Sequence, residues 1–166
     1  MKPSVYVETS VLSYLTARPS NDLRAMAHQA ATIEWWDTQK THYHLVASDL
    51  VIAEASRGNP EAAQRRLAAM SSFQLLQISQ DVQNLAQLLV VQHALPPKAE
   101  ADAVHVALAA VSGVEYLLTW NCTHIANAHT RPKIEATCRS YGYEPPVICT
   151  PLELIENTHV ARPDSF

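Results

Sequence analysis

The sequence predicts an α/β protein, a three-layer α/β/α sandwich around a mostly parallel central sheet of about five short strands. Three observations lead there. Short runs that are apolar throughout recur along the chain. Stretches with helical spacing fill the intervals between them. Strands without polar alternation belong to a parallel sheet covered on both faces, and regular strand–helix alternation is the layer pattern of such a sheet.

The elements follow in order. Ser4 to Val7 is the first strand. Ser20-Asn21-Asp22 offers a cap for a helix through Trp35 and Trp36, with Leu23, Met26, Ala27, Ala30 and Ile33 as an apolar stripe at helical spacing. Leu45 to Ala47 is the second strand, and Ser48 caps a helix that stops near Gly58. Asn59-Pro60-Glu61 restarts the chain with a cap, a first-turn proline and an acid at the positive end of the helix dipole. Leu75 to Ile78 is a third strand, followed by a helix from Ser79 with Val82, Leu85, Ala86, Leu88 and Leu89 inward. Pro96-Pro97 breaks the chain before an alanine-rich helix, Glu100 to Gly113. Tyr116 to Thr119 and Val147 to Cys149 are the remaining strands, separated by a helix from Lys133 to Tyr141. Thr150-Pro151 is expected to cap a last short helix. Residues 1–156 read as one domain and 157–166 as a C-terminal tail.

Composition narrows the function. The chain has 166 residues, 48% hydrophobic and 17% charged, which suits a folded domain with a full core. The net charge of −4 argues against a general nucleic-acid coat, though not against a nuclease with a local basic rim. Three glycines leave no room for a glycine-rich phosphate cradle. Cys122, Cys138 and Cys149 form no C-x-x-C pair and read as reduced thiols. No secretory or membrane-spanning pattern stands out, so the chain reads as cytoplasmic.

The chemistry concentrates in four acidic or amide positions. Glu8 closes the first strand, Glu54 follows the Ser48 cap, Asp102 opens the alanine-rich helix, and Asn121 follows Leu117-Leu118-Thr119. In a parallel sheet, ligands bind beyond the carboxyl ends of the strands, and helices that follow strands begin on that rim. All four side chains are therefore expected to meet there. Two carboxylates roughly 5 Å apart repel by about 3 kcal/mol at an effective dielectric of about 20. Their natural companion is a hard divalent cation with oxygen ligands.

This ordered set resembles the PIN domain, specifically the toxins of VapC-type toxin–antitoxin pairs, over about residues 4 to 155. Val5-Tyr6-Val7-Glu8-Thr9-Ser10-Val11, Ser48 to Glu54, Asp102 to Ala109 and Leu117 to Asn121 carry the resemblance. It departs from the family at two places, with Glu8 where aspartate is usual and Asn121 where aspartate is common. The resemblance implies an Mg²⁺- or Mn²⁺-dependent ribonuclease that hydrolyses RNA phosphodiester bonds and leaves a 5′ phosphate. Glu8, Glu54 and Asp102 would hold the metal, partly through water, with Asn121 completing the catalytic set. Thr9, Ser10, Glu100 and Thr119 would support those ligands, although Ser10 reads equally as a helix cap and Glu100 as a helix-start acid. Arg18, Arg57 and Lys98 are candidate phosphate contacts; Trp120 and His124 are candidates for stacking on a base, with core packing the competing reading for Trp120. His105 reads as a hydrogen-bonded core histidine. The resemblance also implies a cognate antitoxin protein, a homodimer or toxin–antitoxin hetero-oligomer, and no membrane partner.

Other classes remain open or fall. Loss of charge at Asn121 and the longer Glu8 leave room for a weak or inactive PIN-like module that only binds RNA or protein. A haloacid-dehalogenase-type phosphohydrolase needs D-x-D-x-T after the first strand, and Glu8-Thr9-Ser10 stands there instead. Cys122, His124 and His129 lack a fourth partner for zinc.

Overall fold

The computed structural model describes residues 1–156, so the expected 157–166 tail lies outside the described residues. The elements run β1 (Ser4–Val7), α1 (Thr9–Thr16), α2 (Leu23–Thr38), β2 (His44–Ser48), α3 (Asp49–Ala55) and α4 (Pro60–Ala69). They continue as β3 (Gln74–Leu76), α5 (Gln80–Val91), α6 (Glu100–Val111), β4 (Tyr116–Leu118), α7 (Arg131–Ser140) and β5 (Val147–Cys149). Short 3₁₀ turns occupy Lys40–His42 and Pro97–Ala99.

All pairings in the sheet are parallel, and the strand order is β3-β2-β1-β4-β5. Successive residues of a strand point to opposite faces. Val5, Tyr6 and Val7 are nevertheless all fully buried, so both faces of β1 are covered. That is why β1 is apolar without alternation. The chain leaves β1 toward β2 on one side and later returns to β4 on the other. The gap between β1 and β4 is thus the topological switch point, where open parallel sheets place their ligands.

The local signals for most helices act as expected. Asp22, Ser48, Asn59 and Ser79 each accept a hydrogen bond from a backbone N–H in the first turn of the following helix. Gly58 lies just beyond α3 with φ of 84°, a conformation open to glycine at no steric cost. Two expectations need correction. The cap of α1 is Glu8, whose carboxylate reaches the Ser10 N–H, rather than Ser10 itself. Thr150-Pro151 starts only a turn, in which Glu153 folds back onto the Thr150 N–H and hydroxyl.

The apolar stripe of α2 faces outward: Leu23, Met26 and Ile33 are 81%, 47% and 45% exposed. The buried face holds Gln29, Ala31, Thr32 and Trp35. Polar groups can take the inner face because they are satisfied there. Gln29 donates to the Arg18 carbonyl and accepts from Ser20 N–H, and Thr32 accepts from the Trp120 indole. Ile33→Asp is therefore expected to shift stability by no more than about 0.5 kcal/mol, the range of ordinary surface changes. Thermal unfolding checks this; a loss several times larger would put Ile33 in the core.

Candidate active site

Glu8 sits where β1 ends at the switch point. Its N–H donates to the Leu118 carbonyl at 3.0 Å, continuing the ladder to β4 by one residue. Its carboxylate turns back over α1 and accepts the Ser10 N–H at 2.6 Å. The residue is only 6% exposed. Burial pushes its pKa above the usual carboxylate range; His105 and the Ser10 bonds oppose that, and neighbouring Glu54 adds to it.

Glu54 lies on α3 close enough for its charge to act on Glu8. One oxygen, Oε1, takes two hydrogen bonds, from the Thr9 hydroxyl at 2.6 Å and with His105 Nε2 at 2.7 Å. Burial pushes this carboxyl upward, but the bond and charge of His105, the Thr9 hydroxyl and the Arg57 guanidinium outweigh it and leave the pKa below its ordinary value. Behind His105, Nδ1 meets the Tyr6 hydroxyl at 2.7 Å, and Tyr6 in turn meets Ser48 Oγ at 2.7 Å.

A second cluster forms where the chain leaves β4. Thr119 is fully buried and its hydroxyl accepts the Asn121 N–H. Asn121 shapes the next turn: its side-chain Oδ1 accepts the His124 N–H at 3.0 Å, and its carbonyl accepts from Ile125 and Ala126. His124 Nδ1 then pairs with Asp102 Oδ2 at 2.9 Å. The Trp120 N–H donates to Ser10 Oγ at 2.8 Å and ties this cluster to the first.

The predicted residues therefore fall into two groups. Glu8, Thr9, Ser10 and Glu54 form one. Asp102, Thr119, Asn121 and His124 form the other, and α6 joins them because His105 is one helical turn beyond Asp102. Among the described residues, no three Asp, Glu, His or Cys side chains converge closely enough to hold a metal ion. That also leaves Cys122, His124 and His129 without a zinc cluster. Each carboxylate nevertheless keeps one oxygen with no hydrogen bond from a described residue: Glu8 Oε1, Glu54 Oε2 and Asp102 Oδ1.

The peripheral candidates separate. Glu100 is exposed and lines a groove with Gln83, Val90 and Val104, about 200° around the helix from Asp102, so it does not support that residue. Arg18, Arg57 and Lys98 are exposed and carry no ion pair among the described residues. Trp120 is packed: its ring stacks on His28 with centroids 3.9 Å apart, and its Nε1–H donates to Thr32 at 2.8 Å. Tyr6 and Ser48 were not legible as site residues. The only hint was a hydroxyl-bearing tyrosine inside an otherwise aliphatic strand.

No protein-family model matches the sequence, and no curated protein matches it significantly. Solved structures do. VapC20 of Mycobacterium tuberculosis, described as a toxin that cleaves the sarcin-ricin loop, superposes with a TM-score of 0.57 at 19% identity, covering 74% of this chain and 94% of that one. VapBC2 of Rickettsia felis, solved bound to a DNA fragment of its promoter, gives 0.57 at 13% identity over 88% and 97%. A toxin–antitoxin complex from Klebsiella pneumoniae gives 0.55 at 19% over 89% and 98%. At such identities the likeness is one of fold, and the fold of this chain is that of the VapC-type PIN-domain toxins.

Proposed function

We propose that this protein is a metal-dependent endoribonuclease and the toxin of a type II toxin–antitoxin pair. The observation that carries the reading is Glu8. It is a carboxylate buried at the switch point, held beside Glu54, with no lysine or arginine among the described residues bonded to it. Such a group favours a bound cation, because its charge lacks compensation in a poorly solvated site. The donor set is all carboxylate oxygen, which suits Mg²⁺ or Mn²⁺.

Glu8, Glu54 and Asp102 would hold the ion partly through bridging waters, since no three of the described acids converge closely enough to bind it together directly. The ion supplies water activation near neutral pH and neutralises phosphate charge. The chain's own residues do the positioning. Thr9 and His105 fix Glu54, the Ser10 N–H fixes Glu8, and Asn121 sets the turn that brings His124 to Asp102. Arg57, close enough to influence Glu54, is the best placed of the three basic residues to meet an RNA phosphate, with Arg18 and Lys98 as further candidates.

The expected partner is an antitoxin protein that presents a basic side chain to this acidic rim. The outward stripe of α2 offers apolar surface for the same partner or for a second copy of the toxin. No helix among the described residues is long and apolar enough to cross a membrane, and a cytoplasmic location accords with the proposed role.

A second reading has one observation in its favour. Glu54 and Asp102 each spend an oxygen on a histidine, which suits a PIN-like module that binds RNA or protein without cutting. An RNA cleavage assay with Mg²⁺ or Mn²⁺ separates the two. Wild-type protein is expected to cut, and Asp102→Asn to fall to background, a loss of at least about 100-fold if a metal ligand is removed. Equal cutting by both would trace the activity to a contaminant, and no cutting by either would leave the binding module. Growth arrest on expression, relieved by co-expression of the neighbouring gene, tests the toxin role separately.

A further inference from the structure

Helix α6 is apolar almost throughout after Asp102. Ala103, Val106, Ala107, Leu108, Ala109 and Ala110 are all buried. His105 is the polar exception and is 1% exposed. A buried imidazole with an unmet nitrogen is costly. Here both nitrogens are met, by Glu54 and by Tyr6.

The direction of these bonds follows from the donor inventory. An ionised carboxylate only accepts, so His105 Nε2–H donates to Glu54 Oε1. When the imidazole is neutral, Nδ1 accepts the Tyr6 hydroxyl proton; when it is charged, Nδ1 donates to the Tyr6 oxygen instead, and in both forms Tyr6 holds the ring. In the neutral form the Tyr6 oxygen accepts from the Ser48 hydroxyl, and Ser48 Oγ accepts the Val51 N–H at 3.3 Å. With the imidazole neutral, the donors run head to tail from the backbone of α3, through β1 and α6, and back to Glu54 on α3; with it charged, the same contacts remain and only the Tyr6 and Ser48 hydroxyl protons turn round. Burial and the edge-on packing of the Tyr6 and His105 rings, 5.7 Å apart, leave the imidazole little freedom to turn.

We infer that Tyr6 and His105 are positioning residues for Glu54: their buried hydrogen-bond chain, with the Thr9 hydroxyl, holds Oε1 and leaves Oε2 as the oxygen that ligates the divalent cation. The inference rests on the metal reading above and extends it to two core residues. A network that merely stabilised the fold would lower the unfolding temperature without changing metal affinity in the folded protein. A positioning network changes affinity, because outer partners of ligating groups typically contribute 10- to 100-fold.

The test is Mn²⁺ binding to the full chain, read by the electron paramagnetic resonance signal of free Mn²⁺ well below the melting temperature of each variant. Wild type is expected to bind, Glu54→Gln to lose binding, and Tyr6→Phe to bind about 10- to 100-fold more weakly while folded. Wild-type affinity in folded Tyr6→Phe, with Glu54→Gln defective, overturns this inference alone. No Mn²⁺ binding by wild type overturns it together with the metal reading. If Tyr6→Phe does not fold, Mg²⁺ titration of wild type observed by ¹⁵N resonances decides. The His105 ring nitrogens are expected to shift, and those of His44, at the start of β2, to stay. His105 resonances unmoved at saturating Mg²⁺ overturn the inference.

Discussion

Glu8→Gln is expected to raise the melting temperature of the metal-free protein at neutral pH while abolishing cleavage. Burial is the main force on the Glu8 carboxyl, and it lifts the folded-state pKa above the unfolded value of about 4.3. A group raised in this way contributes stability that is complete below the unfolded pKa and is lost as pH rises through the folded one. At neutral pH the ionised side chain therefore weighs against folding. Glutamine has the same shape, is neutral at every pH, and can still accept the Ser10 N–H through its oxygen. The gain should be near zero at about pH 4 and grow toward pH 7, with each kcal/mol worth about 2–4 °C in a chain of this size. Divalent metal should reverse the order. A ligand at a hundred times its dissociation constant adds about 2.7 kcal/mol to wild type, and nothing to a variant that does not bind it. Calorimetric scans with a chelator, then with Mg²⁺, give both results. Identical melting curves across pH would show that Glu8 carries no uncompensated charge.

Glu54 responds in the opposite sense. Its pKa is lowered, so it contributes stability present above the unfolded pKa and lost as pH falls through the folded one. Two carboxylates on one rim are thus pushed apart by unlike surroundings, one by burial and the other by His105 and Thr9. Such divergence is common where neighbouring acids have different tasks.

The three central strands were readable because burial on both faces leaves runs such as Val5-Tyr6-Val7, Val46-Ala47 and Leu117-Leu118 with no polar alternation; β1 and β5 match the expected spans residue for residue, whereas the edge strand β3, largely exposed, lies one to two residues before its expected span. Element order and polarity then place the ends of β1, β2 and β4 on one rim, which is why Glu8, Glu54 and Asn121 could be picked from spacing. What stayed hidden depended on partners distant in sequence. The stripe on α2 has correct helical spacing, but spacing does not say which face turns inward. Gln29, Thr32 and the Trp120 indole settle that, from residues up to 88 positions apart. His105 was legible as a hydrogen-bonded core histidine and Ser48 as a helix cap, but their linkage through Tyr6 was hidden for the same reason, since Tyr6 bonds across 42 and 99 positions.

Trp120→Ala is expected to cost about 3 kcal/mol of stability, at the lower end for a buried aromatic because the ring keeps some exposure. That corresponds to a fall of about 6–12 °C. The indole bridges three elements. It stacks on His28 of α2, meets Tyr14 of α1 edge-on, and donates to Thr32, all from the turn after β4. Truncation removes the stack, opens a cavity at the switch point and loosens the turn that carries Asn121 and His124. His28 cannot recover its losses by charging cheaply. Burial, then the nearby Arg24, hold its pKa below the ordinary histidine value, and its Nδ1 is already without a partner among the described residues. The competing role, a platform for an RNA base, predicts something else. Base stacking is worth about 1–3 kcal/mol in binding, and its loss need not touch stability. Because His28 already covers one indole face, the packing role should dominate. RNA affinity of the folded variant, measured in chelator so that no cutting occurs, should stay within about twofold of wild type on that reading. A tenfold weaker affinity, about 1.4 kcal/mol, with an unchanged melting temperature would assign Trp120 to the substrate instead.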